Sequence, residues 1–188
     1  MTDEHLLARA RGGDETASLL LYERHREPIF RFAYRLSGTV EAAEDITHDC
    51  FLAVVNSAAK FDAKRGTLRS YLFGTVRNLT IKRLRLDGRE EALERASELP
   101  ATEGGPFNAV LGREVSALVA QEVADLPFLQ REVLMLFEFE ELSLLEISQI
   151  VGADVGVVKA RLYRARERLR RRLAPLLHRP LAERGSRE

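Results

Sequence analysis

The side chains that could do chemistry in this sequence are mostly cations. Eight of the fifteen residues from 159 to 173 are Lys or Arg and one is acidic. Residues 60–85 hold eight more against a single acid. Guanidinium and ammonium groups at this density suit nucleic acid: they neutralise phosphates, and an Lys or Arg can also donate to guanine O6 and N7 in the major groove. Residues 86–142 carry thirteen acids and four basic residues, so the formal charge of zero over 188 residues conceals two separate basic patches. Two patches on one chain suggest two nucleic-acid contacts; solvated helix faces are the plainer alternative.

Other chemistry has less support. Glu41, Glu44, Asp45, His48 and Asp49 have metal-like spacing on a helix. A carboxylate-bridged site needs a second such helix, and the sequence offers none. His5, His25 and His178 lack matching partners. Cys50, the only cysteine, excludes an intramolecular disulfide and suits a reducing cytoplasm. Set beside Phe51 and Leu52, it reads as a small packed residue rather than a nucleophile or redox sensor. No G-x-x-x-x-G-K phosphate loop, secretory signal or apolar run of membrane-spanning length occurs. No cofactor or metal is implied, and neither is an enzyme.

The elements that must position the cations read as helices. Ser143 and Glu146 have the spacing of a capping box, which starts a short helix carrying Leu145, Ile147 and Ile150. Gly152 allows a sharp turn. A longer helix follows from about Val155, with Val158, Leu162, Ala165, Leu169 and Leu173 on one stripe. Short helix, turn and basic helix make a helix-turn-helix, whose second helix enters the DNA major groove.

Upstream, Asp3–Ala10 reads as a helix ended by Gly12 and Gly13, and Asp14 as the cap of the next, which Pro28 should kink or split and Gly38 ends. Thr39 can cap a third helix reaching about Ala58, and Thr67 a fourth, with Leu68, Tyr71, Leu72, Val76, Leu79 and Ile81 on one side. Residues 87–107 are acidic, rich in Pro and Gly, and lack apolar periodicity. Helical pattern returns with Val115, Leu118, Val119, Val123 and Leu126; Pro127 breaks it and can start another helix. The expected fold is all-α: two small helical bundles joined by a flexible linker, the C-terminal one containing the helix-turn-helix. The divisions are 1–86, an acidic linker at 87–110, 111–175, and a tail at 176–188.

The run LPFLQREVLMLFEFEELSLLEISQIVGADVGVVKARLYRARERLRRRL resembles the second DNA-binding domain of bacterial sigma factors of the sigma-70 family, and most of all the extracytoplasmic-function (ECF) type. AAEDITHDCFLAVV, residues 42–55, resembles the helix with which those factors grip the polymerase clamp. FDAKRGTLRSYLFGTVRNLTIKRLR, residues 61–85, resembles the segment that opens and reads the minus-ten element. Tyr71, His48, Lys82, Val157 and Ala160 depart from the family's commoner residues.

The resemblance implies a cytoplasmic sigma factor that binds core RNA polymerase through its clamp and flap regions, directs it to promoters and promotes melting. Promoter DNA is a further partner, an anti-sigma factor a frequent one, and no membrane contact is implied. For the minus-thirty-five element it implies Lys159, Ala160, Arg161, Tyr163, Arg164 and Arg168; Lys159, Tyr163 and Arg164 lie near one face as base readers, while Arg161, Arg168 and Arg171 suit phosphates. For the minus-ten element it implies Phe61, Lys64, Arg65, Tyr71, Arg77 and Asn78, the loop from Phe61 to Thr67 holding a flipped base. Tyr71 and Phe73, two apart on a helix, cannot both face the core, so one should be exposed. Polymerase binding falls to Asp45, His48, Asp49, Phe51 and Leu52. The alternatives are a self-sufficient helix-turn-helix regulator and a helical metal-dependent enzyme.

Overall fold

Five of the described helices begin where a short polar side chain takes up an otherwise unpaired N–H, and three end on glycine. The computed structural model describes residues 1–56, 61–63, 66–88 and 113–177. Lys64, Arg65, most of the acidic linker and the tail from His178 lie outside the described residues. Every regular element among those described is an α-helix: α1 (Asp3–Arg11), α2 (Glu15–Ser37), α3 (Val40–Asn56), α4 (Leu68–Leu86), α5 (Arg113–Ala124), α6 (Phe128–Glu138), α7 (Leu144–Val151) and α8 (Val155–Leu177).

The caps are those expected. Asp14 accepts from the N–H of Ala17 at 3.0 Å, Thr39 Oγ1 from that of Ala42 at 3.2 Å, and Thr67 Oγ1 from that of Ser70 at 3.1 Å. Gly38 closes α2 in the left-handed region at φ 87°. Pro127 sits in extended backbone immediately before α6, where its missing N–H costs nothing. Of the two outcomes expected of Pro28, a split does not occur: α2 continues through it as a single helix. A proline removes only one ladder bond. Leu21, His25, Ile29, Phe32, Ala33 and Leu36 are buried on both sides of it, which holds the two halves in one element.

α1 to α4 form one bundle, with α2 packed on α1, α3 and α4. Phe32 and Phe73 meet edge to face at 5.2 Å in its centre. α8 is the centre of the other, against α5, α6 and α7. The bundles are also packed on each other, α7 against α4 and α6 against α2, and their buried residues form one continuous apolar cluster. Periodicity predicts the two bundles but not this interface.

Candidate nucleic-acid interface

α8 is set by two local devices. In the capping box, Ser143 Oγ accepts the Glu146 N–H at 3.2 Å, and the Glu146 carboxylate accepts the Ser143 N–H at 2.9 Å. The Ser143 N–H and hydroxyl, both donating to it, hold the Glu146 carboxyl below its usual range. Gly152 then turns the chain in the left-handed region, φ 64° and ψ 40°. Val158, Leu162 and Ala165 bury one stripe of α8. The opposite face presents Lys159, Tyr163 and Arg164 to solvent, Tyr163 with 69% exposure. Tyr163, Arg164, Arg168, Arg171 and Arg172 line an open depression of about 530 Å³ together with Gln130 and Glu167.

The cations of α8 fall into two groups. Arg166 pairs with Glu138, Arg170 and Arg171 with Glu167, and Arg172 with Glu122 and Asp125. Arg161 turns inward, its side chain 19% exposed, and lies 3.5 Å from the buried carboxylate of Glu132 on α6. Among the described residues Lys159, Arg164 and Arg168 make no ion pair. These three cations stand ready for an external anion without first breaking a bond. Ala160, half-buried, borders them and offers only a methyl group.

The second basic patch lies on α4 and the loop before it. Of its candidates, Asn78 is exposed, while Phe61 and Tyr71 are half-buried with their rings 5.5 Å apart. Phe73 is fully buried, so of the two aromatics on α4 it is Tyr71 that reaches the surface. Arg77 is not free: its Nε donates to Glu132 at 2.6 Å. The C-terminal bundle covers this face elsewhere too. Arg69 donates to the carbonyl and the carboxylate of Glu140, both at 2.8 Å. Ser70 Oγ lies 3.3 Å from Glu146. The Arg35 guanidinium on α2 sits over the Phe139 ring at 4.4 Å. Arg131 of α6, buried, donates to the Leu36 carbonyl at the end of α2 and to Ala124 at the end of α5. Burial pulls this guanidinium down to about 10, still charged at neutral pH.

The residues that sequence reasoning missed are therefore Glu132, Glu140, Arg69 and Arg131. The run Phe128–Phe137 carried a signal, because Gln130, Arg131 and Glu132 interrupt an otherwise apolar stretch of helix. A charge pair in such a place is buried only if it is partnered.

On α3, Asp45, His48, Asp49 and Leu52 share an exposed face. Asp45 pairs with Arg83 of α4 at 2.8 Å. Phe51 is half-buried and packs edge-on against Tyr22 at 5.0 Å, so it supports this face rather than lying on it. Among the described residues, no three His, Cys, Asp or Glu side chains come together as a metal site. Cys50 is buried, which pushes its thiol up to about 12. Among the same residues no helix is long and apolar enough to cross a membrane.

Two family models match the chain: Sigma-70 region 2 over residues 21–90, and Sigma-70, region 4 over residues 116–169. The ECF RNA polymerase sigma factor SigW of Bacillus subtilis (strain 168) is 33% identical over 180 residues, covering 90% of this chain and 96% of its own. The ECF RNA polymerase sigma-E factor of Escherichia coli (strain K12) is 28% identical over 193 residues, covering 95% and 98%. Among solved structures, CnrH in complex with the cytosolic domain of CnrY matches with a TM-score of 0.66 at 25% identity, over 93% of this chain and 96% of that one. The sigma factor RpoE in complex with the anti-sigma factor NepR, from Bartonella quintana, matches at 0.64 and 25% identity, over 78% and 89%.

Proposed function

The chain belongs to the sigma-70 family as an ECF sigma factor, and from that premise we propose how its surfaces divide the work of starting transcription. Residues 1–86 grip core RNA polymerase and read the minus-ten element, residues 87–110 act as the linker, and residues 111–175 read the minus-thirty-five element. The observation that carries this reading is the pair of basic helices, α4 and α8, one in each bundle.

Lys159, Tyr163 and Arg164 read base edges from the exposed face of α8. Arg168 holds phosphate, while Arg161 and Arg171 do so only after leaving Glu132 and Glu167. Ala160 touches a thymine methyl. Around Phe61, Lys64, Arg65, Tyr71, Arg77 and Asn78, binding of the separated strand supplies the free energy of melting, since base stacking on an aromatic contributes about 1–3 kcal/mol per base. The exposed Asp45, His48, Asp49 and Leu52 dock on the polymerase clamp, with Phe51 packed behind them, and the C-terminal bundle meets the flap. The protein works in the cytoplasm and catalyses no reaction of its own. An anti-sigma factor is a further partner: one solved relative was captured with such a protein.

In-vitro transcription tests the reading. Adding the full chain to core polymerase on a genomic fragment library gives promoter-specific transcripts. Tight DNA binding without initiation would instead identify a self-sufficient helix-turn-helix regulator.

A further inference from the structure

We propose that Glu167 is a specificity-determining residue of α8: it holds Arg170 and Arg171 back from phosphates, and so weakens binding to random DNA more than binding to the recognised element. The proposal deepens the reading of α8 given above and rests on it. Eight of the fifteen residues from 159 to 173 are cations, and Glu167 is the one acid among them. Its two carboxylate oxygens are divided between neighbours. Oε2 accepts from Arg170 Nη1 at 2.7 Å, and Oε1 from Arg171 Nε at 2.8 Å. A carboxylate that accepts from two guanidinium groups takes the place of a phosphate.

The fold does not require this pairing. The two arginine side chains are 73% and 78% exposed, and exposed ion pairs add little to stability. The acids that take Arg166 and Arg172 come from α5, α6 and the turn between them, so those pairs tie the bundle together. The ion pairs of Glu167 lie within α8 itself. Arg170 and Arg171 stand seven residues beyond Tyr163 and Arg164. Seven residues are nearly two helical turns, so each arginine returns to the side of α8 held by one base reader, about 10 Å further along the axis. Glu167 sits between them and lines the depression with Arg164, Arg168 and Arg171. It is placed where base readout gives way to phosphate contact.

The consequence is unequal for the two kinds of DNA. With Lys159, Tyr163 and Arg164 on their bases, α8 has one register, and its last turns reach only the phosphates that this register brings near. Arg168, which has no ion pair among the described residues, serves there without breaking a bond. On random DNA no register is imposed, and the helix settles wherever it collects most phosphates. Two further free arginines would strengthen that mode most. Glu167 withholds them, and discrimination is the difference between the two affinities.

The test measures binding of the full chain by fluorescence anisotropy over a range of salt concentrations. One duplex is selected by the chain itself from randomised DNA; the other is a scrambled duplex of the same length and composition. E167Q keeps the shape of the side chain and removes its charge. It is expected to bind the scrambled duplex several-fold more tightly, with the slope of log K against log salt steeper by about 1–2, since each phosphate neutralised adds about 0.9. The selected duplex gains less, so the ratio of the two affinities falls, while helical circular dichroism is unchanged. In an R170Q/R171Q background E167Q changes neither slope nor ratio. Four results overturn the proposal: no sequence enriched by selection, an unchanged slope, equal gains on both duplexes, or an E167Q effect that persists in R170Q/R171Q and so marks plain repulsion of phosphate. Promoter-specific transcripts from a chain that shows no E167Q effect defeat the proposal and leave the functional reading standing. The E167Q effect in a chain that yields no transcripts does the reverse.

Discussion

Arg77 on α4 and Glu132 on α6 are 2.6 Å apart, and the glutamate side chain has no exposure to solvent. That pair shows what the acidic stretch between the two basic patches is for. Glu132 takes Arg77 and Arg161, Glu140 takes Arg69, Glu138 takes Arg166, and Glu122 and Asp125 take Arg172. The formal neutrality of the chain is thus realised as local pairing of both patches with α5, α6 and the turn after α6. Among the described cations of the two patches, Lys82 and Arg85 on α4 and Lys159, Arg164 and Arg168 on α8 are left without an ion pair.

Removing one side of the Arg77–Glu132 pair should cost far more than removing a surface ion pair. R77A leaves Glu132 buried with only Arg161 in reach. Breaking a buried pair from one side costs about 3–5 kcal/mol. Burial already raises the Glu132 carboxyl above its usual 4.5, and the two arginines pull against that. Without Arg77 it rises further. A carboxyl whose pKa is raised in the folded state holds its proton better folded than unfolded. Acidification from the raised folded value toward 4.5 therefore favours the fold. The deficit of R77A relative to the parent is largest above the raised folded value and shrinks as the pH falls toward 4.5, measured by urea denaturation across that range. A deficit independent of pH would mean that Glu132 is satisfied by water.

Arg164 and Arg161 stand three residues apart on α8 but should behave differently. Arg164 is exposed and has no ion pair among the described residues, while Arg161 is turned to Glu132. R164A weakens the holoenzyme's binding to its promoter by about 1–3 kcal/mol and relaxes preference at one base pair of the minus-thirty-five element. R161A weakens binding to all sequences alike and leaves base preference intact. Competition binding against a library of randomised minus-thirty-five sequences separates the two. Equal loss on every sequence for R164A would make it a phosphate contact.

Elements whose determinants lie within a few residues of each other were legible in the sequence. Asp14, Thr39, Thr67 and the Ser143–Glu146 box all act over three residues, and each caps the helix expected of it. The apolar stripe of α8 is local in the same sense. What escaped depends on distant partners. Nothing adjacent to Arg161 or Arg77 says that Glu132 awaits both, because 29 and 55 residues separate them from it. That α2 does not split at Pro28 has a related cause: local propensity allows a break, and burial against α1, α3 and α4 holds the two halves together. The exposed face of α3 was readable as alternation of polar and apolar residues, but which of its members point outward was not; Phe51 faces Tyr22 instead.

Cys50 should be chemically silent in the folded protein. Its sulfur is buried, lies 3.6 Å from the Leu72 carbonyl, and has its thiol pushed up to about 12 by desolvation. The thiolate is the reactive form, so almost none is present at pH 8. A disulfide reagent such as dithionitrobenzoate releases no colour from the native protein over an hour and one equivalent after denaturation. Rapid native reaction would reveal a local opening between α3 and α4.

The capping box offers the cleanest measure of what holds the helix-turn-helix. S143A removes the acceptor for the Glu146 N–H and should cost about 1 kcal/mol. G152A places a Cβ in open space, so its cost is the left-handed backbone alone, about 1–2 kcal/mol. E146Q tests the charge. The Glu146 carboxyl is lowered below 4.5 by the Ser143 N–H and hydroxyl, with Ser70 and Arg69 of α4 adding to this. A lowered carboxyl contributes stability that is fully present above the unfolded value and lost as pH falls through the folded one. The parent should therefore exceed E146Q at pH 7 by an amount that vanishes as the pH drops below 4.5. Thermal unfolding followed by circular dichroism from pH 7 downward reads this directly. In R69E, where the Arg69 contribution is gone, the pH-dependent part of the difference becomes smaller. An unchanged difference would show that Glu146 acts within its own bundle alone.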